Sequence, residues 1–373
     1  MCDKWGTLSE ETEKVAVGFN PRPDAKAKPA QSRALKDVIK QDERDRLSSG
    51  DPEIDRVLGG GIVKGSVVLL SGEPGIGKST MVARMAGCAT ALHIPKEKSG
   101  VVASSVLYIS GEESPTQLAS RFDRLALNTD RVRFLDPFPV ETLVATIEKE
   151  QPALVVVDSV QTLTSSSVES SAGSPTLVRY AASLLLDLAK RIGVSILLVG
   201  QVTKDGTLAG PKTLEHLVDV VLSLEGDPVH AYRLLRASKN RFGATDEIGV
   251  FEMTQKGLEA IRDPSQRFLS ERAAVPGSVI TAAVEGSRVF FVEVQALVEN
   301  SAYSMPVRRA SGIDQNRLQM LVAILSKRGG LKLADKDVYV NVIGGMELKE
   351  PAADLAVCAA IAGAFNNRVE PPT

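Results

Sequence analysis

One glycine-rich run constrains the fold of this chain more than any other feature. Residues 72–80 read Gly-Glu-Pro-Gly-Ile-Gly-Lys-Ser-Thr; the apolar run Val67–Ser71 precedes them, and helical spacing begins at Lys78. Glycines in this order let successive backbone N–H groups point inward at phosphate oxygens, and the start of a helix adds partial positive charge. The strand, loop and helix together predict a P-loop, a site for a nucleoside triphosphate.

The positions of this loop have expected roles with ATP and Mg²⁺. Lys78 is expected to bridge the β- and γ-phosphates, and Ser79 to bind the metal. Asp158 closes a second apolar run that begins at Leu154, and it is expected to hold the same Mg²⁺ through water. The predicted ATP-binding residues are Gly72, Glu73, Pro74, Gly75, Ile76, Gly77, Lys78, Ser79 and Thr80.

Hydrolysis also needs a group that orients water. Glu112 and Glu113 follow the apolar run Val106–Ser110, at the edge where an α/β sheet displays its active-site residues. Glu112 is the first choice for the catalytic base and Glu113 the alternative, since acids also suit the start of the next helix. Gln201 ends another apolar run; its amide either senses the γ-phosphate or is an ordinary residue at a strand end.

Apolar runs alternate with helical patterns up to about residue 261, which predicts an α/β fold with a parallel sheet covered on both faces. Beyond that point the order of elements predicts a separate α+β domain. The predicted strands are Val67–Ser71, Val106–Ser110, Ala153–Val157, Val194–Gly200, Val218–Leu224, Tyr232–Ala237, Ser278–Val284, Val289–Val298 and Val338–Ile343. The predicted helices are Lys78–Leu92, Pro115–Leu127, Val140–Glu150, Leu177–Ile192, Asp314–Lys327 and Ala352–Ala364.

Composition excludes several other classes of protein. With 43% hydrophobic and 24% charged residues the chain is globular, and its three cysteines offer no disulfide framework. We find no apolar run long enough to cross a bilayer and no signal peptide, so we expect no membrane association and a cytoplasmic location. The net charge of −2 requires any nucleic-acid contact to come from a local basic loop or channel.

Several motifs resemble known families. Gly59–Gly61, the P-loop and Ser110–Ser114 resemble the RecA and replicative-helicase ATPase superfamily, which includes the KaiC branch. The run Lys239, Asn240, Arg241, Phe242, Gly243 is similar to the signature motif of the RadA (Sms) family of bacterial DNA-repair proteins. The resemblance extends from Cys2 to Val369. It implies a RecA-like P-loop ATPase core, with a mostly parallel sheet between helices, followed by an α+β domain like that of the Lon protease.

The resemblance also implies an activity and partners. Members of this family are DNA-dependent ATPases that drive branch migration and extend heteroduplex in homologous recombination, on single-stranded and branched DNA, alongside the RecA recombinase. They form homo-oligomers, and a hexameric ring is expected here. Lys239 and Arg241 stand two apart at a strand end, so both project to one side. In a ring they could reach the neighbouring subunit's γ-phosphate as arginine fingers do; a solvated charged hairpin is the alternative.

Two departures from the family pattern change the expectations. Residues 2–8 resemble the end of a four-cysteine zinc module, but only Cys2 remains, and one thiolate cannot build a tetrahedral site. Zinc is therefore expected in the full family member and not in this chain. Gly344–Asp354 resembles the segment that carries Lon's nucleophile, with Ala352 at the serine position, so acyl-enzyme chemistry is excluded.

The expected layout follows from these observations. Residues 1–19 are a remnant of the zinc module, 20–46 a linker, 47–262 the ATPase domain, and 270–373 an incomplete, proteolytically inactive Lon-like domain. Two loops, Thr162–Pro175 and Val202–Lys212, correspond to those that line the channel of RecA-like rings, which makes Lys204 and Lys212 candidates for phosphate contacts on DNA. A KaiC-like regulatory ATPase is the alternative function, and an ATP-dependent protease is the weakest one.

Overall fold

The computed structural model describes residues 46–89, 105–201, 211–226, 232–261, 265, 275–343 and 347–369. All of them belong to one compact unit, Asp45–Thr373. The predictions for the zinc remnant with Cys2, for the linker up to residue 45, for Lys204 and for residues 344–346 lie outside the described residues.

The strands and helices are numbered in chain order. The strands are β1 (Arg46–Leu47), β2 (Ile62–Val63), β3 (Val67–Gly72), β4 (Val106–Ser110), β5 (Val132–Leu135), β6 (Leu154–Asp158), β7 (Ser195–Gln201), β8 (Val220–Gly226), β9 (Tyr232–Asn240), β10 (Ile248–Thr254), β11 (Gly257–Ala260), β12 (Ser278–Glu285), β13 (Arg288–Asn300), β14 (Arg308–Ser311) and β15 (Lys336–Val342). The helices are α1 (Pro52–Val57), α2 (Lys78–Ala89), α3 (Pro115–Arg124), α4 (Val140–Glu150), α5 (Pro175–Ile192), α6 (Gln315–Lys327) and α7 (Asp354–Phe365).

The large sheet has nine strands in the order β11-β10-β9-β8-β3-β7-β6-β4-β5. The six strands from β8 to β5 are parallel, and this confirms the predicted mostly parallel α/β sheet. Strands β8 to β11 pair antiparallel in chain order and extend the sheet on one side, and β10 and β11 among them were not predicted.

Helices cover both faces of the parallel part because apolar residues of its central strands face both sides. Along β3, Val68 and Leu70 pack with α2 and α3, whereas Val67 and Leu69 pack with α4 and α5 on the other side. Helix α3 begins with a capping box: Ser114 accepts from the Gln117 amide, and the Gln117 side chain accepts from the Ser114 amide. This fixes the direction in which the chain leaves β4, beside Glu112 and Glu113.

The second sheet has four strands in the order β12-β13-β15-β14, with α6 and α7 packed on it. Its apolar core includes residues from β9 and β10 of the large sheet, so the two sheets share one core in the described chain. An ion pair of 2.8 Å between Arg288 and Glu53 also links the β12–β13 hairpin to α1. No helix among the described residues combines the length and the apolar character that a membrane span requires.

Candidate nucleotide-binding site

The glycines of the P-loop are required by close contacts at Gly72 and Gly77 and by positive φ angles at Gly75 and Gly77. A Cβ at Gly72 would lie 2.5 Å from the Leu224 carbonyl oxygen, and one at Gly77 would lie 2.8 Å from Met253 Cε. Gly75 and Gly77 have φ angles of +75° and +115°, which favour glycine. The loop is therefore pressed against β8 and β10, and its turn depends on residues without side chains.

Lys78 is buried at the base of this loop, with a relative exposure of 6%. Its ammonium donates to the carbonyl oxygens of Gly72, at 2.9 Å, and of Glu73, at 2.8 Å. Burial lowers the pKa of Lys78, while the carboxylates of Glu112 and Asp158 oppose that shift. Lys78 is therefore a buried cation whose ammonium lies against the backbone of the loop.

Asp158 and Ser79 fit the expected Mg²⁺ ion. Burial raises the pKa of Asp158, and the Ser79 hydroxyl opposes this shift. Tyr108 donates its hydroxyl to Asp158 Oδ2 at 3.1 Å, whereas Oδ1 is buried with no hydrogen-bond partner among the described residues. An oriented carboxylate oxygen without a partner is suited to accept from a metal-bound water. Among the described residues no group of three or more His, Cys, Asp or Glu side chains is arranged to hold a metal ion. Ser79 and Asp158, together with the phosphates, would hold Mg²⁺.

Two of the predicted catalytic residues lie together. Gln201 donates from Nε2 to Glu112 Oε1 at 2.8 Å, across strands that are not sequence neighbours. The carboxylate of Glu112 also lies close enough to Lys78 and Asp158 to influence their pKa values. Strand ends that meet at one edge of the sheet bring these groups together.

Glu113 has a different environment from Glu112. It forms an ion pair with Arg121 on α3, and its backbone N–H donates to Ser110 Oγ at 3.0 Å. Arg121 in turn donates to Thr80 Oγ1 at 3.4 Å. Glu113 therefore ties the start of α3 to the first turn of α2, while Glu112 stays exposed.

The run Lys239–Gly243 lies at the opposite edge of the sheet. Asn240 pairs with Val220, and Val220 pairs with Val68 at the beginning of β3, whereas the P-loop follows the end of β3. The separation along this strand is about 15 Å, at roughly 3.3 Å per residue. Lys239 and Arg241 are therefore remote from the P-loop of their own chain.

The Gly59–Gly61 turn packs directly against this run. A Cβ at Gly59 would lie 3.3 Å from Gly243 Cα. Arg46 donates to the Phe242 carbonyl oxygen at 3.0 Å and to the Gly61 carbonyl oxygen at 3.3 Å. Two of the motifs that carry the family resemblance thus contact each other in the fold.

The two candidate DNA loops differ in charge. Lys212 is exposed, on a short turn at Pro211–Thr213, whereas residues 163–174 contain no lysine or arginine. Glu141 holds the Thr162–Pro175 loop, since its carboxylate accepts from Ser165 Oγ at 2.6 Å and from the Ser166 amide at 3.1 Å. Burial alone would raise the pKa of Glu141, but these hydrogen bonds bring it down to about 2.

Sequence reasoning missed four supporting residues. Tyr108 and Arg121 have no motif that marks them, because their partners lie on other elements. Arg233 donates to the Ile76 carbonyl oxygen at 3.2 Å and so supports the P-loop from β9. Asp219 binds Arg241 at 2.9 Å, and here a signal existed, a single carboxylate inside the apolar run Val218–Leu224.

A P-loop with a buried lysine, a strand-end aspartate and a strand-end glutamate, on a mostly parallel sheet, defines a P-loop ATPase of the RecA-like α/β class. A family model described as an AAA domain matches residues 31–207. The DNA repair protein RadA of Pseudomonas aeruginosa is 45% identical over 99% of this chain and 79% of its own length. Those of Aquifex aeolicus and Bacillus subtilis are each 44% identical, over 99% and 98% of this chain and 80% and 78% of their own lengths. The chain belongs to the RadA family of DNA repair proteins.

A solved structure also matches part of the chain. It is the crystal structure of a KaiC-like protein from Pyrococcus horikoshii, with a TM-score of 0.46 and 19% sequence identity. The match covers 58% of this chain and 99% of that one.

Proposed function

We propose that this protein hydrolyses ATP to drive branch migration and to extend heteroduplex on recombination intermediates, in homologous recombination and DNA repair. The observation that carries the proposal is the hydrogen bond between Glu112 and Gln201 beside the buried Lys78. This hydrogen bond supports the proposal, because a carboxylate held beside the phosphate-binding lysine is suited to orient water.

ATP binding begins at the loop of residues 72–80. The backbone N–H groups and Lys78 hold the phosphates, and Lys78 exchanges its two carbonyl acceptors for phosphate oxygens. When bound, Mg²⁺ supplies charge neutralisation on the β- and γ-phosphates. Ser79 would hold the ion directly, and Asp158 would accept from its water through Oδ1.

Glu112 serves as the base that orients the attacking water. It is exposed, it lies near Lys78, and Gln201 fixes the direction of its carboxylate. Gln201 is then placed to report the state of the γ-phosphate to the segment that follows β7. Glu113 is the alternative base, but its ion pair with Arg121 favours a supporting role.

Arg241 serves the ATP site of a neighbouring subunit. Its position at the far edge of the sheet excludes the P-loop of its own chain. A ring, with six subunits expected, would bring this edge against the next subunit's phosphates, where an arginine stabilises developing charge. The same role is expected from the sequence for Lys239, but its ammonium donates to backbone carbonyl oxygens of its own chain.

DNA is held by a few cations gathered in the channel of the ring. The net charge of −2 disfavours a basic exterior, so we assign phosphate contacts to Lys204 and Lys212. Single-stranded and branched DNA are the expected substrates, and the RecA recombinase is the expected partner. Because the proposed substrate is chromosomal DNA, we expect the protein to be cytoplasmic.

The region after residue 270 acts in assembly and not in proteolysis. We propose the boundaries 47–262 for the ATPase domain and 270–373 for the Lon-like domain. Ala352 stands in the short turn before α7 and offers no hydroxyl. Arg317 fastens this segment, with an ion pair of 2.6 Å to Asp354 and a hydrogen bond of 2.9 Å to the Leu348 carbonyl oxygen.

The test is the rate of ATP hydrolysis with and without single-stranded DNA. We expect DNA to stimulate the parent protein, and Lys78→Ala to abolish hydrolysis, because the developing phosphoryl charge then loses its cation. A regulatory ATPase of the KaiC type would hydrolyse ATP at one rate whether or not DNA is present. Hydrolysis within tenfold of the parent in Lys78→Ala would contradict the assignment of the site.

A further inference from the structure

Lys239 binds a turn of its own chain. Its ammonium donates to the carbonyl oxygens of Glu215, at 2.7 Å, and of Val218, at 2.8 Å. Burial lowers the pKa of Lys239, and the neighbouring Arg241 adds to this shift, while Asp219 and Glu215 oppose it. The side chain thus works as a hydrogen-bond donor to the backbone of residues 214–219, called here the 214–219 turn.

The 214–219 turn lies between Lys212, a proposed DNA contact, and Arg241, which is proposed to act on the neighbouring subunit. It follows the short turn that carries Lys212, one of the proposed DNA contacts. It ends at Asp219, which is buried and which accepts from Arg241 at 2.9 Å and from the Val67 amide at 3.1 Å. A single short segment therefore connects the proposed DNA contact at Lys212 with the carboxylate that binds Arg241.

Other contacts also hold the turn: Leu214 and Val218 are buried in the core, and the Arg241 amide donates to the Asp219 carbonyl oxygen at 3.2 Å. Leu217 and Val218 donate their amides to the Leu214 carbonyl oxygen at 2.9 and 3.1 Å, which closes the turn but does not fasten it to β9. Lys239 and Arg241 are the two side chains of the Lys239–Gly243 run that reach it, one through backbone carbonyls and one through a carboxylate.

We infer that Lys239 is a positioning residue that locks the 214–219 turn to the strand carrying Arg241, so that DNA contact at Lys212 moves Arg241. The inference rests on the proposed DNA-dependent ATPase function. It assigns the two cations different tasks: Arg241 reaches the neighbouring subunit, and Lys239 transmits the displacement within its own chain. Charge at Lys239 matters less than its capacity to donate to two carbonyl oxygens.

The first test compares the parent with Lys239→Met, which keeps the length of the side chain and removes the donor. We expect the amides of Leu217 and Val218 to exchange hydrogen about tenfold faster in this variant. We also expect the ratio of hydrolysis rates with and without DNA to fall to about 1, with nucleotide affinity unchanged. Lys239→Arg should restore both readouts, and Lys190→Met, on the exposed face of α5, should change neither.

Each of the other outcomes overturns a specific statement. Unchanged exchange in Lys239→Met would show that Lys239 does not hold the turn. Faster exchange with full DNA stimulation would show that the turn does not couple DNA to hydrolysis. A parent protein without any DNA stimulation would overturn the proposed function and the coupling with it, while the exchange data would still report whether Lys239 holds the turn.

A subunit-mixing experiment tests whether the Arg241 that Lys239 positions acts on the neighbouring subunit. Lys239→Met subunits with an intact ATP site are mixed with Lys78→Ala subunits that keep Lys239 and Arg241. We expect partial recovery of DNA-stimulated hydrolysis, because the Lys78→Ala subunits present a correctly held Arg241 to the intact ATP sites of their neighbours. No recovery in mixed rings would overturn the inference, and so would recovery with Lys78→Ala subunits that also carry Arg241→Ala.

Discussion

Substitutions of Glu112 and Glu113, the two adjacent carboxylates after β4, should affect the rate of ATP hydrolysis very differently. Glu112→Gln removes the base but keeps an oxygen that accepts from Gln201, 2.8 Å away in the parent. Removal of a general base typically lowers a rate by about 10²- to 10⁴-fold, which is about 3–5 kcal/mol in the activation barrier. ATP affinity should stay within a few fold, because the phosphate contacts belong to the P-loop and Lys78.

Glu113→Gln should behave differently, since its carboxylate is paired with Arg121 and both side chains are about one-fifth exposed, at 20% and 19%. Loss of this pair should cost about 1 kcal/mol of unfolding free energy. Hydrolysis should fall less than tenfold. The assay is single-turnover hydrolysis at saturating ATP and Mg²⁺, together with the equilibrium affinity for the nucleotide. A loss of more than a hundredfold in Glu113→Gln, with Glu112→Gln near the parent, would move the base by one residue.

Three further predictions concern the surroundings of the site. Gly111→Ala should cost about 1–3 kcal/mol in thermal unfolding and slow hydrolysis, because its Cβ would lie 2.5 Å from Thr162 Cβ; Thr162→Gly should recover part of the rate. Glu141 has a pKa depressed to about 2, so its stabilisation is complete above its ordinary value near 4.5 and is lost as pH falls towards 2. The parent should lose about 1–2 kcal/mol of unfolding free energy relative to Glu141→Gln across that pH window, after allowance for solvent screening. Equal pH profiles of the two proteins would refute this prediction. Lys212→Gln should lower the salt slope of single-stranded DNA binding by about 0.7 per lost phosphate contact, whereas Lys190→Gln should leave it unchanged.

The sequence was sufficient for the elements that carry strong patterns. Val106–Ser110 and Val140–Glu150 begin and end as predicted, because a continuous apolar run and a helical apolar stripe each determine one structure. Helix α1 and strands β5 and β11 were not predicted, since six or four residues are too short for a periodic signal. Strand β14, also four residues long, contains two arginines and has no apolar run.

For the site, position at a strand end was the informative signal. It brought Glu112, Gln201 and Asp158 to one edge of the sheet, because parallel strands end together. It could not reveal which groups pair across elements. The Tyr108–Asp158 contact joins residues fifty positions apart, and the acceptors of Lys239 are backbone carbonyls that no residue type marks.

The most direct test of the central claim is ATP-dependent extension of a DNA joint. A three-stranded junction with a labelled strand is incubated with the protein and ATP, and the displaced length is measured over time. We expect extension with ATP and Mg²⁺ in the parent, none in Lys78→Ala, and bound but stationary junctions in Arg241→Ala. Extension at the same rate without ATP, or in Lys78→Ala, would contradict the claim that hydrolysis at this site drives movement on DNA.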